Sequence, residues 1–157
     1  MVEIKRILFC HDFSETADFA FPYAILIAEK FSAPLYIIHV VEESFQHWTY
    51  MEPFFAGDTL VKIFEEIEKK VREQLEDICK SMATMLKGYY PIIAKGIPFS
   101  EIIHTANEKK IDLIIMGTHG RTGLGRVLFG SVAQRVVRRA TCPVLTVRMP
   151  AKESEGH

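Results

Sequence analysis

A short apolar run from Ile111 to Met116 constrains the fold of this chain more than any other segment. Apart from Asp112 it consists of large apolar residues, most of them branched, which is typical of a strand buried on both faces of a parallel sheet. A loop that begins Gly117-Thr118-His119-Gly120 follows directly, and a helical pattern opens at Ser131. Strand, loop and helix in this order are the repeating unit of an α/β fold.

Strand and helix patterns alternate along the whole chain of 157 residues. Strands are predicted at Ile4–Cys10, Leu35–Val41, Tyr89–Ala94, Ile111–Met116 and Val144–Val147. Helices are predicted from Ser14 to about Phe31, from Leu60 to Met82, from Pro98 onward, and from Ser131 up to Pro143. Residues 42–57 have no clear period and are interpreted as a connecting segment. This alternation predicts a parallel sheet with right-handed crossovers, in one domain over residues 1–149 followed by a polar tail at 150–157.

The composition is that of an ordinary globular domain, with 48% apolar and 25% charged residues. A net charge of −1 gives no general attraction to nucleic acids or anionic membranes. The longest apolar stretch, Phe19–Ala28, is about half a membrane span and contains Pro22. The segment Met1–Arg6 lacks the organisation of a signal peptide. We therefore expect a cytoplasmic protein that binds neither nucleic acid nor membrane.

Cysteines and histidines are too dispersed to predict a metal centre. The three cysteines, Cys10, Cys79 and Cys142, are widely separated and odd in number, which argues against disulfides and against a cysteine-based zinc site. They are interpreted as buried thiols. The six histidines form no i,i+4 pair on a predicted helix.

The glycines after the fourth strand predict a phosphate-binding loop. Glycine allows tight turns and close approach of backbone N–H groups to a ligand, and the start of the Ser131 helix adds donors and partial positive charge. A Walker A loop does not fit, because Gly130 is followed by Ser131 without a lysine. The dinucleotide fingerprint fails as well, because its third glycine would fall on Leu128. Ser131 and Gln134 match a capping box, which is compatible with a phosphate contact.

The spacing G-x2-G-x9-G-S from Gly117 to Ser131 resembles that of the ATP-binding branch of the universal stress protein family. The strings Met116–Arg126 and Thr141–Arg148 resemble the family almost residue for residue. This resemblance implies a Rossmann-like five-stranded parallel sheet of order 3-2-1-4-5 with helices on both faces. Ligands in such sheets bind at the carboxyl ends of the strands at the switch point, here strands one and four. The resemblance also implies a homodimer in which the strands Val144–Val147 of two copies pair antiparallel.

The resemblance implies a site for an adenine nucleotide, which would be ATP, ADP or AMP with Mg²⁺ on its phosphates. Asp12 would meet the ribose or adenine, or would only help to cap the next helix. Val40 and Met116 would line the adenine, or would be ordinary core residues. Arg121 would pair with a phosphate or stay solvated. The implied nucleotide contacts are Cys10, Asp12, Val40, Met116, Gly117, His119, Gly120, Arg121, Gly130, Ser131 and Val132.

Two features of this sequence bear on what the site does. Cys10-His11 stands where the family usually has a proline and a small residue, so His11 would crowd the pocket or touch the nucleotide. Asp112 lies at the wrong end of strand four to hold a metal beside the loop, so ATP hydrolysis is expected to be slow at most. His119 is accordingly interpreted as a ligand contact or a loop-shaping residue. We expect a nucleotide-dependent stress-response or regulatory protein with an unidentified protein partner. An enzyme of the adenylyl-handling type and a ligand-free stress chaperone remain as alternatives.

Overall fold

The computed structural model describes residues 1–42, 57–81, 86–119 and 129–150. Most of the predicted connecting segment, Gly120, Arg121 and the tail from residue 151 therefore lie outside the described residues. Within the described residues the strands are β1 (Ile7–Cys10), β2 (Leu35–Glu42), β3 (Tyr89–Gly96), β4 (Leu113–Gly117) and β5 (Val144–Val147). The helices are α1 (Glu15–Phe31), α2 (Gly57–Lys80), α3 (Pro98–Glu108) and α4 (Ser131–Arg139).

The five strands form one parallel sheet in the order β3-β2-β1-β4-β5, as predicted. The register brings the ends of the central strands to the same level. Cys10 is opposite Ile38 on one side and Met116 on the other, and Gly117 is opposite Val147. The carboxyl ends of β1 and β4 therefore lie side by side at the switch point of the sheet. The end of the sheet where the strands terminate is called the carboxyl edge, as distinct from the edge strands β3 and β5.

Each face of the sheet is covered by two helices, which confirms the predicted architecture. One core cluster joins Phe9, Ile37 and Ile115 of the sheet to residues of α1 and α2, among them Ala24 and Leu75. The other joins side chains of the opposite face to α3 and α4, namely Leu8, Ile38, Ile114 and Met116 with Ile102, Ala133 and Val136. Alternate residues of each strand thus enter opposite cores, and β1 and β4 lack charged and polar side chains for this reason.

Two strands begin later than predicted, and each delay has a local cause. β1 begins at Ile7 because the N–H groups of Lys5 and Arg6 donate to Oδ2 of Asp112, at 2.8 and 2.9 Å. β4 begins at Leu113 because Ile111 still belongs to the end of α3. The N–H of Ile111 donates to the carbonyl of Ala106 at 2.8 Å, and Lys110, the residue before it, has a left-handed backbone conformation (φ 53°).

α1, α3 and α4 begin where predicted, whereas α2 begins three residues earlier than predicted, at Gly57. Ser14 caps α1 by accepting from the N–H of Ala17, and Pro98 opens α3. The predicted capping box at Ser131 is wrong, because Gly130 occupies the N-cap position and Ser131 is already helical. α4 then ends at Arg139, before Pro143.

The three cysteines are free thiols, of which Cys79 is buried and Cys10 and Cys142 are half-buried. Among the described residues, no group of three His, Cys, Asp or Glu side chains could hold a metal ion. No described helix combines the length and the apolar character that crossing a bilayer requires.

Candidate functional site

Four of the residues predicted to contact a nucleotide share one apolar cluster. Cys10, Val40 and Met116 stand at or near the carboxyl ends of β1, β2 and β4, and Val132 lies in the first turn of α4. All four pack in the core on the α3 and α4 face, with Met116 buried and the other three partly exposed. The structure therefore brings these residues together, and it shows that each also has a role in core packing.

The thiol of Cys10 is held in its neutral form. Burial raises its pKa far above the usual range, and the nearby carboxylate of Asp12 adds to the effect. A thiol of this kind is a poor nucleophile, because reactivity depends on the thiolate. Cys10 therefore offers a small apolar surface to a ligand.

Gly117 allows the end of β4 to lie directly against the first turn of α1. A Cβ atom at this position would be 2.7 Å from Cγ2 of Thr16 and 3.3 Å from the carbonyl carbon and oxygen of that residue. Contacts under 3.0 Å are essentially never made by real Cβ atoms. The glycine thus has a packing reason that is independent of any ligand, and the sequence pattern gave no sign of its partner.

Two backbone hydrogen bonds join the end of β4 to its surroundings. The N–H of Thr118 donates to the carbonyl of Val147 at 3.0 Å, and the N–H of Gly130 donates to the carbonyl of Thr118 at 2.6 Å. The second bond draws together the two ends of the glycine loop. It also engages the Gly130 amide within the protein, so a phosphate would have to be bound by the amides that follow.

The start of α4 supplies those amides. The first intrahelical bond runs from the N–H of Gln134 to the carbonyl of Gly130 at 3.0 Å, so the N–H groups of the three residues before Gln134 precede the ladder. Gly130 has no side chain with which to cap them, and no side-chain cap is formed. Ser131 is exposed at the first helical position. This arrangement is a suitable binding site for an anion.

Asp12 takes part in capping α1, as the alternative interpretation has it. Its Oδ1 accepts from the N–H of Ser14 at 3.1 Å and from the Ser14 hydroxyl at 2.5 Å. The same hydroxyl oxygen accepts from the N–H of Ala17 at 3.2 Å. The carboxylate therefore fixes the turn between β1 and α1, and its half-buried position leaves part of its surface at the edge of the site.

His11 points into the core, so the expectation that it crowds or touches a nucleotide is wrong. The residue is 2% exposed. Its Nδ1 accepts from the N–H of Phe13 at 3.1 Å, so the proton of the neutral ring is on Nε2, which donates to Oδ1 of Asp18 at 3.1 Å. Burial lowers the pKa of His11, and the Asp18 carboxylate opposes this only in part.

The turn after His11 has an unusual backbone conformation. Phe13 has a φ of 61°, in the left-handed region that bulky residues avoid at a cost of about 1–2 kcal/mol. Its ring packs against His39 at 4.5 Å and against His11 at 5.2 Å between centroids. Nothing in the sequence pattern indicated that a phenylalanine would take this conformation.

His119 is half-buried at the start of the glycine loop. Its Nδ1 lies 2.9 Å from the hydroxyl of the buried Thr118, which agrees with a role in shaping the loop. Asp112 lies at the amino end of β4, at the opposite edge of the sheet from the glycine loop. The site therefore combines an apolar surface at the strand ends, the start of α4 and the turn that contains Asp12.

Two related proteins from one organism match almost the whole chain. MJ0531, a universal stress protein of Methanocaldococcus jannaschii, is 38% identical over 153 residues, which cover 95% of this chain and 85% of that protein. The solved structure of MJ0577, a universal stress protein of the same organism, has a TM-score of 0.83 at 30% identity. It covers 96% of this chain and 100% of its own.

Two more distant solved structures contain adenine nucleotides. One is a universal stress protein in complex with cAMP, with 23% identity, a TM-score of 0.63 and coverage of 93% of this chain and 98% of that one. The other is the universal stress protein from Archaeoglobus fulgidus in complex with dAMP, with 18% identity, a TM-score of 0.53 and the same coverages of 93% and 98%. At these identities the likeness shows a shared fold, and the ligands are properties of those two proteins.

The sequence profile of the universal stress protein family matches residues 3–148. This range includes all the strands and helices described above and both turns at the carboxyl edge of the sheet. Since the match covers far more than half of the chain and agrees with a relative at 38% identity, the chain belongs to the universal stress protein family.

Proposed function

We propose that this chain is a nucleotide-dependent regulatory protein of the stress response, which binds an adenine nucleotide at the carboxyl edge of β1 and β4. The base would lie against Cys10, Val40 and Met116, and the phosphates would lie at the start of α4. The observation that carries the proposal is at this helix start. Gly130 caps α4 without a side chain, and Val132 in the same turn belongs to the apolar cluster of the other three residues.

Electrostatics favours a phosphate at this position. The amides of Ser131, Val132 and Ala133 precede the first intrahelical bond, and the helix dipole adds partial positive charge. The first turn of α4 contains no acidic residue, so nothing in that turn repels an anion. A nucleotide satisfies both parts of the site, because it joins an apolar ring system to a charged group.

ATP, ADP and AMP are the candidate ligands, and Mg²⁺ would neutralise charge on their phosphate oxygens. We propose no protein ligand for the metal. Fast phosphoryl transfer needs an acidic group that holds the metal near the phosphates. Asp112 bonds to the backbone before β1 at the opposite end of the sheet. The carboxylate of Asp12, at the near end, accepts from the amide and the hydroxyl of Ser14. These positions favour regulation by binding, with slow hydrolysis at most.

The test is the stabilisation of the protein by nucleotides in thermal unfolding. A ligand at a hundred times its dissociation constant stabilises by about 2.7 kcal/mol, which for a chain of this size raises Tm by roughly 5–11 °C. Gly130→Val should abolish the shift, because a branched side chain would stand where the phosphate lies. The apo fold should survive, since the φ of −68° and ψ of 156° at Gly130 are accessible to valine.

Gly57→Val is the matched control. It introduces the same side chain at the start of α2, where a Cβ atom meets no described residue within 4 Å, and it should keep the full nucleotide shift. Equal shifts in wild type and Gly130→Val would contradict the proposed site. Absence of a shift in wild type with ATP, ADP, AMP and cAMP would contradict nucleotide binding.

We further propose that two copies pair through β5, because the two edges of the sheet differ. On the β3 edge, the carbonyl of Gly88 accepts from Leu35, and alternation along the strand then turns Pro91 outward. Proline has no N–H and interrupts that edge. On the β5 edge the carbonyls of Pro143 and Val147 face β4, so the backbone groups of Val144 and Thr146 face outward. An edge with such groups is suited to pairing with a second chain.

A further inference from the structure

His11 connects three parts of the structure through separate hydrogen bonds. Its backbone is fixed to β2, since its N–H donates to the carbonyl of Ile38 at 2.9 Å and its carbonyl accepts from Nδ1 of His39 at 2.8 Å. Its ring binds the amide of Phe13 in the turn and the carboxylate of Asp18 on α1. The ring is thus the part of His11 that holds the turn between β1 and α1.

The bond to the turn exists only while the ring is neutral. Nδ1 accepts from the N–H of Phe13 at 3.1 Å, which requires a lone pair on that nitrogen. Because Nε2 already carries the proton that faces Asp18, a second proton must go to Nδ1. Two N–H groups would then face each other, so protonation of the ring and the Phe13 bond exclude one another.

The surroundings of the ring keep it neutral near pH 7. The aromatic rings of Phe9, Phe13 and Phe21 lie 5.7, 5.2 and 6.1 Å from it between centroids. Among the described residues, the titratable groups around it are Asp18 on α1, Asp12 in the turn and His39 on β2. The Asp18 side chain is 67% exposed, compared with 1% for His11, so solvent screens its charge and it compensates burial only partly.

The sign of the pH effect follows from these contacts. Burial lowers the pKa of His11 below its ordinary value of 6.5. A form in which the ring is released regains the ordinary pKa and binds the proton more tightly. The closed turn is therefore fully stable above pH 6.5, and acid favours opening as the pH falls below this value.

We propose that His11 is a pH-sensitive positioning residue, whose neutral ring holds the turn that presents Asp12 and whose protonation releases this turn and weakens the ligand site. The left-handed backbone of Phe13 supports this assignment, because a strained residue relaxes once its amide is freed. Asp12 lies between His11 and Phe13 in the chain, so it moves with them. The effect on the turn stands on its own, whereas the effect on affinity rests on the proposed nucleotide site.

The first experiment follows the turn in the nucleotide-free protein by NMR. At pH 7.5 the His11 ring should show the proton on Nε2, and the Phe13 amide should be protected from exchange. Below pH 6.5 the protection factor of this amide, corrected for the intrinsic exchange rate, should fall by up to about tenfold per pH unit. A proton on Nδ1 at pH 7.5, or a pH-independent protection factor, would overturn the proposal.

Three variants separate the titration of His11 from other effects. In Asp18→Asn the side-chain oxygen can still accept from Nε2–H while the charge is lost, so the titration midpoint of His11 should fall. In His11→Asn the amide oxygen can accept from the Phe13 amide as an Asx turn, and the pH dependence of protection should disappear. His104→Gln, which removes an exposed histidine of α3, should behave as wild type. An unchanged or raised titration midpoint of His11 in Asp18→Asn would contradict the contact geometry. This measurement does not depend on whether His11→Asn folds.

The second experiment measures ADP affinity of the same variants by calorimetry at pH 7.5 and 5.5. ADP titrates identically in every sample, so comparison between variants removes its contribution. Affinity should fall in acid in wild type and His104→Gln, by up to about tenfold more per pH unit than in His11→Asn. An equal fall in all three would refute the link to the site. Absence of ADP binding at pH 7.5 in wild type would instead contradict the proposed function, while the NMR result would still decide the role of His11.

Discussion

Gly117→Ala tests the close approach between the end of β4 and the first turn of α1. The new Cβ atom would lie 2.7 Å from Cγ2 of Thr16 and 3.3 Å from its carbonyl carbon and oxygen. The side chain of Thr16 can move Cγ2 away by rotating about χ1, but the backbone atoms of Thr16 move only with the helix. Overpacking of this kind costs about 1–3 kcal/mol, and the lower entropy of the unfolded alanine chain offsets about 0.4–1 kcal/mol. We expect a net loss of about 1–2 kcal/mol and a Tm lower by about 2–8 °C.

Thr16→Ser isolates the contribution of the methyl group, because serine keeps the hydroxyl and lacks Cγ2. In the double variant part of the clash is absent, so its destabilisation should be smaller than the sum of the two single effects by about 1 kcal/mol. Urea unfolding of the four proteins gives this difference. Gly57→Ala, whose Cβ atom meets no atom of the described part of the chain within 4 Å, should not lose stability. Additivity within about 0.5 kcal/mol, or wild-type stability of Gly117→Ala, would refute the reasoning.

Two further substitutions test contacts at the ends and the edge of the sheet. Asp112→Ala removes the acceptor of the Lys5 and Arg6 amides and should cost about 1–2 kcal/mol in urea unfolding. Asp112→Asn, which keeps one oxygen, should lose less, and equal losses would contradict the role of these bonds. Thr146→Pro removes an outward N–H of β5 and should convert a dimer into a monomer in sedimentation, whereas Thr146→Val should stay dimeric. A monomeric wild type at micromolar concentrations would contradict pairing through β5.

The sequence predicts the elements of this fold well, because the core faces leave a strong pattern. β5 begins and ends where predicted, and α3 opens at the predicted Pro98. The strand order came from the family resemblance, since hydrophobic periodicity carries no information on which strands are neighbours. The errors lie at element boundaries, such as the starts of β1, β4 and α2 and the end of β3. At β1 the cause is a side chain 106 residues away in sequence, the carboxylate of Asp112 that bonds to Arg6, and local patterns cannot show such a contact.

The grouping of the strand-end residues was predictable from topology, whereas the direction of the His11 side chain was not. Cys10, Val40 and Met116 meet because parallel strands end at one edge of the sheet. The inward direction of His11 depends on the conformation of the turn that follows it. That conformation includes a left-handed phenylalanine, which is contrary to the preference of this residue type. Comparison with the family pattern therefore gave the wrong side for His11, and only the tertiary contacts correct it.

The two turns at the switch point are held by different sets of bonds. On the β4 side, the backbone N–H and carbonyl groups of Thr118 bond to Val147 and Gly130 and do not titrate, while its hydroxyl lies 2.9 Å from Nδ1 of His119. On the β1 side, the ring of His11 and the carboxylate of Asp12 hold the turn, and the bond from the Phe13 amide to the ring requires a neutral imidazole. Acid should therefore loosen the β1 turn, whereas the two backbone bonds of Thr118 involve no titratable group. A ligand that contacts both turns would lose its interactions with Asp12 first and keep those at the start of α4.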